Sequence, residues 1–217
     1  MNIEQARENM IKQQFRPCEV LDEATLTAFR RVRREDFVPP ACKHLAFADT
    51  ALPLEQGQTM LEPKLEARLL QELALKPTER VLEIGAGSGF MAALLASQAG
   101  AVVSLEIVPE LAERARRNLA AAGITNVRVE IADGVEGWEG EGEGLWDAIL
   151  LSGAVPAVPE KLLKQLRPGG RLAAIVGSAP VFAIVLVVAT ENGFKTKKLL
   201  ETGATPLVHF DAPAFRF

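Results

Sequence analysis

The sequence predicts a doubly wound α/β fold, a mostly parallel sheet covered on both faces with an antiparallel strand at its C-terminal end. Three observations predict it. From residue 81, strand-like runs alternate with helical segments, and the runs are almost continuously apolar, as strands buried on both faces are. The first of these runs opens through a glycine-rich turn into a helix. After Gly177 the alternation stops, and two strand-like runs follow one another across "ENG", a turn signal favouring an antiparallel hairpin.

Each element follows from local pattern. Residues 3–15 carry Ile3, Ala6, Met10 and Phe15 at helical intervals, and 22–33 read as helical too. "DFVPPA" at 36–41 stops helix, because proline lacks the N–H donor and pushes its predecessor to extended geometry. Pro63 suits the first turn of a helix running to about Leu75, with Glu62 beside its positive end. Strands are expected at "VLEIG" (81–85), "VVSLEI" (102–107), "VRVEIA" (127–132), "WDAILLS" (146–152) and "RLAAIVG" (171–177). Helices are expected near 89–99, 109–122 and 159–166. The acidic, glycine-rich "EGWEGEGEG" at 136–144 reads as a solvated loop. "VFAIVLVVAT" and "FKTKKLLE" make the final hairpin.

With 217 residues the chain can fill one sizeable core, and a single domain over 1–217 is expected. Residues 1–75 would supply N-terminal helices and a covering segment, and 76–217 the α/β core. A net charge of −4 gives no general attraction for nucleic acid or an anionic membrane. No basic-aromatic interleaving points to a nucleic-acid acceptor. The longest apolar run, at 181–189, is under half a membrane span, and the charged N-terminus has no signal-peptide core. Cys18 and Cys42 stand in no metal-ligand spacing and read as free thiols, so a cytoplasmic protein is expected, a monomer or small homo-oligomer without a metal. His44 and His209 lie near no nucleophile, which leaves no readable hydrolase triad. Trp138 and Trp146 read as core anchors.

The chemistry concentrates in "VLEIGAGSGF", residues 81–90. Gly85, Gly87 and Gly89 allow a tight turn and let a ligand approach the backbone. A plain tight turn needs the same glycines, so the context decides. The glycines follow a strand and open a helix, Glu106 ends the next strand where a ribose would lie, and Asp133 and Gly134 end the third. A dinucleotide fingerprint wants G-x-G-x-x-G, whereas here the spacing is G-x-G-x-G and Phe90 takes the last position. Glu83, inside the first strand, adds negative charge that suits a cationic ligand better than a phosphate; a purely structural bonding role for it stays open. S-adenosyl-L-methionine, with its sulfonium and α-ammonium, fits. Glu106 would accept both ribose hydroxyls, and Asp133 with Gly134 would meet the adenine.

At this point the chain resembles the class I methyltransferases and, within them, the protein-L-isoaspartate O-methyltransferases. "VLEIGAGSGF", "SLEI", "ADGVEGW", "WDAILLSGAVPAVP" and "LRPGGRLAAIVG" are similar to that family's successive motifs. The more specific likeness is in "REDFVPP" and "FADTALPLEQGQTMLEP", and the whole covers about residues 5–208. The resemblance implies a Rossmann-like seven-stranded methyltransferase sheet with N-terminal helices and a reversed C-terminal strand. It implies cofactor contacts at Thr59, Met60, Leu61, Gly85, Glu106, Asp133 and Gly134. It also implies that "ALPL" (51–54, with Leu52 and Pro53) and "TPLV" (205–208, with Pro206 and Leu207) flank a substrate backbone. The partners would be damaged proteins or peptides carrying isoaspartate, methylated for repair.

One position departs from the family. Its motif reads Q-G-Q-T, an aliphatic residue, then the serine assigned to catalysis, and here Leu61 stands in that serine's place, followed by Glu62. No catalytic side chain is therefore readable, and Asp49 is a weak substitute, since a turn-capping role suits it equally. Leu61 and Glu62 also make structural sense as a helix entry. Weakened isoaspartyl methylation is the first reading. A methyltransferase of the same fold with another acceptor, and a cofactor-binding module with little catalysis, stay open beside it.

Overall fold

The computed structural model describes residues 2–140 and 144–210, so residues 141–143 of the acidic run lie outside the described residues. Helices α1 (Ile3–Met10) and α2 (Glu23–Arg31) come first, then the short antiparallel pair β1 (Leu52–Pro53) and β2 (Thr59–Met60) and helix α3 (Pro63–Leu73). The alternating part follows as β3 (Arg80–Ile84), α4 (Phe90–Ala96), β4 (Ala101–Glu106), α5 (Pro109–Ala121), β5 (Val127–Ile131), β6 (Trp146–Val155), α6 (Glu160–Lys164) and β7 (Leu166–Ser178). Strands β8 (Val181–Thr190) and β9 (Gly193–Thr202) close the chain.

The large sheet has seven strands in the order β5-β4-β3-β6-β7-β8-β9. All pairings from β5 to β7 are parallel, and β8 runs antiparallel to both β7 and β9. The expected hairpin after Gly177 is therefore β8–β9, with β8 the reversed strand. Strand order turns back at β3, from which the chain goes out to β5 and returns on the other side at β6. Such a switch point leaves a crevice at the carboxyl ends of the strands.

Alternation along each strand divides the core into two layers. Val81, Val102, Ala148, Leu150 and Ile175 face the layer that carries α3, α4, α5 and the N-terminal helices. Leu82, Ile84, Leu105, Ile149, Leu151 and Leu172 face the layer of Trp146 and Leu162. Trp146 is a core residue, as expected, and Trp138 packs half-buried against the same layer. The helix expected over 3–15 is broken. A widened π turn over Ile11–Phe15 brings Met10, Ile11 and Phe15 inward together, and a 3₁₀ turn at Arg16–Cys18 containing Pro17 ends it. Helix α6 stops at Lys164 because Leu166 already pairs with Trp146 as the first residue of β7. Helix α3 stops at Leu73, where Ala74 turns left-handed at φ 45° and its N–H bonds Gln71. No helix among the described residues is long and apolar enough to cross a membrane.

The N-terminal helices dock through aromatic edges. Phe15 meets Phe29 at 4.7 Å between ring centres, and both Phe29 and Phe37 meet Phe90 on α4 at 5.8 and 5.5 Å. Arg34, almost wholly buried, is the polar member of this cluster. Its guanidinium pairs with Glu66 on α3, donates to the Leu61 carbonyl at 2.8 Å, and lies 4.9 Å from the Phe90 ring centre. Burial pushes the Glu66 carboxyl up, against the pull of the Arg34 charge. Replacing Arg34 by Met strands that carboxylate in the interior and should cost about 3–5 kcal/mol in chemical denaturation. An Arg34→Met/Glu66→Leu pair should recover much of the loss; a single variant as stable as wild type would refute the anchoring role.

Candidate functional site

The crevice lies at the carboxyl ends of β3, β4, β5 and β6, beneath the β1–β2 hairpin and the segment 205–208. Its floor is the loop after β3. Gly87 has φ 53°, and a Cβ there would stand 3.3 Å from Leu54 of the covering hairpin. Gly85 has φ 96°, and its Cβ would stand 3.0 Å from Leu207. Both glycines line the crevice as expected. Gly89 does not: its Cβ would meet the Ala115 backbone at 3.1 Å, so this glycine serves the close approach of α4 to α5.

Glu106 ends β4, lines the crevice and is 5% exposed. Its carboxylate accepts the N–H of Gly87 at 2.8 Å and that of Val108 at 3.0 Å. Burial raises its pKa, and these backbone donors oppose the rise. Asp133 and Gly134 line the next wall at the end of β5. Asp133 accepts from the Val135 N–H at 3.1 Å and pairs with His209, whose Nδ1 is 3.2 Å away. A Cβ on Gly134 would strike Leu105 at 2.7 Å, which explains its glycine.

Glu83 departs from expectation. It is fully buried behind the crevice wall and does not line it. Its Oε1 accepts the Ser152 hydroxyl at 2.8 Å and its Oε2 the Ser104 hydroxyl at 2.5 Å. Burial pushes its pKa up to about 8, with the two serines opposing and Glu106 and Glu66 adding to the rise. At neutral pH it is mostly an uncharged acid, so the negative charge expected under a cationic ligand is absent.

The cover is held by long-range contacts. Thr59 Oγ1 donates to Thr205 Oγ1 at 2.8 Å, joining the β1–β2 hairpin to the C-terminal segment. That segment is tied to β6 by Ala154 N–H to Thr205 O at 3.0 Å and Leu207 N–H to Ala154 O at 2.9 Å. Arg114 on α5 pairs with Glu55 in the hairpin turn. Thr59 and Leu61 line the crevice, and with Met60 they also line a smaller recess that opens from it over Ala86 and Met91. Leu61 is 6% exposed. Pro206 and Leu207 line the crevice itself, but Leu52 is 1% exposed in the core and Pro53 points outward from the covering hairpin. Leu54 takes the place expected of those two. Asp49 lies outside the crevice, its carboxylate held by Lys64, which also holds Glu62, each at 3.0 Å.

Sequence reasoning missed Ser152 and Gly153, while Leu54 and Thr205 fall within the loops expected to flank the substrate without having been singled out. Ser152 and Gly153 lie in β6 just past its last pairing with β3, so the rule that placed Glu106 was open to them. Among the described residues lining it there is no lysine, arginine or histidine, so a diphosphate would find no countercharge here. A nucleoside with hydroxyls for Glu106 and no phosphate fits.

The family model described as protein-L-isoaspartate(D-aspartate) O-methyltransferase (PCMT) matches residues 5–209. The chain belongs to this family. It is therefore an S-adenosylmethionine-dependent methyltransferase. The protein-L-isoaspartate O-methyltransferase of Methanoculleus marisnigri is 41% identical over 202 residues, 93% of this chain and 91% of that one. Protein-L-isoaspartate O-methyltransferase 1 of Syntrophobacter fumaroxidans is 40% identical over 199 residues, 92% of each. A solved structure from Plasmodium falciparum, described as a protein-L-isoaspartate O-methyltransferase in complex with S-adenosyl-L-homocysteine, superposes with a TM-score of 0.79 at 21% identity, covering 95% of this chain and 98% of that one. A second, also named protein-L-isoaspartate O-methyltransferase, gives 0.80 at 26% identity and covers 95% of this chain and 67% of that one.

The buried Glu83 acid has a pH signature. Its folded pKa of about 8 lies above the ordinary 4.5, so the native state holds a proton that the unfolded chain releases between those values. Stability should fall as pH rises from about 5 to about 8, and Glu83→Gln should lessen that fall in melting experiments, leaving the share that belongs to Glu66. A wild type whose melting temperature rises over this range would contradict the assignment.

Proposed function

We propose that this chain methylates the free α-carboxylate of L-isoaspartyl residues in damaged proteins, as a repair enzyme. Glu106 is the observation that carries the reading. Its carboxylate is fixed by backbone donors at the end of β4 and keeps lone pairs facing the crevice for two ribose hydroxyls. Asp133 and Gly134 would border the adenine, Gly85 and Gly87 would let the cofactor lie against the backbone, and Thr59, Met60 and Leu61 would close over it. Bound S-adenosylmethionine supplies an activated methyl group. A carboxylate acceptor is already ionised at neutral pH, so the protein needs no general base. It has to position the acceptor and exclude water. The Thr59–Thr205 and Glu55–Arg114 contacts supply that cover. Cys18 and Cys42 are free thiols, which fits a reducing compartment, and we place the reaction in the cytoplasm.

A specific observation favours a second reading. Leu61 presents an apolar wall where the crevice meets the recess, at the position that by family resemblance holds a serine. One lost hydrogen bond to a charged group is worth about 1.5–3 kcal/mol, on the order of ten- to a hundredfold. A methyltransferase of this fold with a less anionic acceptor would tolerate the leucine better.

Radiolabelled methyl transfer to paired aspartyl and isoaspartyl peptides separates the two: label should enter only the isoaspartyl member. Cofactor binding without label in either peptide would overturn the first reading in favour of the second. Glu106→Ala should weaken S-adenosylhomocysteine binding by about ten- to a hundredfold in calorimetry, since it removes a charged acceptor. Leu61→Ser should raise isoaspartyl methylation by up to about one to two orders of magnitude and leave cofactor affinity nearly unchanged. It should also lower stability by about 1 kcal/mol or more, because Leu61 is buried, so rates are compared where both proteins are folded.

A further inference from the structure

Glu106 and Asp133 stand at the ends of β4 and β5, on one side of the glycine loop, and Ser152 stands within β6, just past its last pairing with β3, on the other. A nucleoside seated against the first pair sends its reactive end across Gly85 toward β6. There the crevice opens into the recess, and the seam between them is lined by Leu54, Thr59, Leu61, Gly85, Gly87 and Ser152. The leucines offer no polar side chain and the glycines no side chain at all. Thr59 spends its hydroxyl proton on Thr205 at 2.8 Å. Ser152 is the remaining seam hydroxyl, and it differs from Thr59 in donating to a titratable group, Glu83 Oε1, which can return a proton to it. Beneath it sits the Glu83 carboxyl, 2.8 Å from Ser152 Oγ and 2.5 Å from Ser104 Oγ.

We propose that Ser152, aimed by Glu83, is the hydroxyl that binds the acceptor carboxylate at the reactive end of the crevice. The inference rests on the isoaspartyl reading above. The Ser152 hydroxyl donates to Glu83 Oε1; with Glu83 protonated there, the carboxyl donates to Ser152 Oγ instead, and the serine proton is released toward the crevice to meet an anionic acceptor. Ionised, Glu83 draws that proton down and sets a negative charge beneath the acceptor. Burial favours the protonated form, and so do the charges of Glu106 from β4 and Glu66 from α3, while the Ser104 and Ser152 hydroxyls oppose it. Arg34 is engaged with Glu66, and the His209–Asp133 pair sits at the β5 end of the crevice. Ser152 is thus a substrate-binding residue, and Glu83 positions it.

The test is calorimetric binding of an isoaspartyl peptide in saturating S-adenosylhomocysteine, alongside titration of S-adenosylhomocysteine alone. Ser152→Ala should weaken peptide binding by about ten- to a hundredfold and leave S-adenosylhomocysteine affinity within about twofold, while Ser152→Thr keeps peptide binding. Wild-type peptide affinity should fall as pH rises through about 8, and Glu83→Gln should remove that fall. An equal loss of S-adenosylhomocysteine affinity in Ser152→Ala would make Ser152 a cofactor residue and overturn the proposal. Unchanged peptide affinity would reduce Ser152 to a partner of Glu83 and overturn it too. Should Ser152→Ala not fold, Ser152→Cys, similar in size with a weak donor, is read in the same way. A wild type that binds S-adenosylhomocysteine but neither binds nor methylates the isoaspartyl peptide fails the functional reading itself. A wild type that methylates the peptide while Ser152→Ala binds it equally well fails only this role.

Discussion

Everything at the site depends on one topological constraint. Strands β3 and β6 lie side by side and parallel, but the helices that follow them go to opposite layers, α4 with the N-terminal helices and α6 with Trp146. Nothing fills the gap above the two strand ends, and the crevice is what remains. The loop after β3 crosses it with glycines because covering side chains, Leu54 and Leu207, come within van der Waals distance of the backbone. Glu106 and Asp133 reach the crevice for the same reason, ending or following a strand that stops there, and Ser152 reaches it from within β6, just past the last pairing with β3.

The acids of this region differ by environment alone. Glu106 faces open space and holds backbone N–H groups, which stabilise its charge against burial. Glu83, one strand away, has only two hydroxyls and lies in the apolar layer, so burial dominates and the proton stays. Glu66, buried at the wall of the smaller recess, has its charge tolerated only beside Arg34. That pair does more than neutralise itself: the same guanidinium holds the Leu61 carbonyl and faces Phe90, so the covering segment, α3 and α4 share one anchor.

Much of the fold and part of the site were legible in the chain. Strand and helix positions followed from periodicity, and the Gly85 turn with Glu106, Asp133 and Gly134 followed from the rule that parallel strands end in the binding crevice. The misreadings share a cause. Gly89 looks like Gly85 and Gly87 in sequence, yet it is used against α5. Leu52 looked like part of a substrate loop, yet it is a core residue in β1. In each case the deciding neighbour is far along the chain.

The sequence by itself determined the layered α/β architecture and the place of Gly85, Glu106, Asp133 and Gly134 along the crevice, because hydrophobic alternation and glycine-rich turns act over a few residues. Tertiary structure alone decided the rest. Thr59 meets Thr205, Arg34 meets Glu66, and Ser152 meets Glu83 across 146, 32 and 69 residues of chain. The protonation of Glu83 is likewise decided by burial and neighbouring charges, and no local pattern encodes burial. Those contacts shape the cover and the junction of crevice and recess, where Leu61 presents an apolar wall.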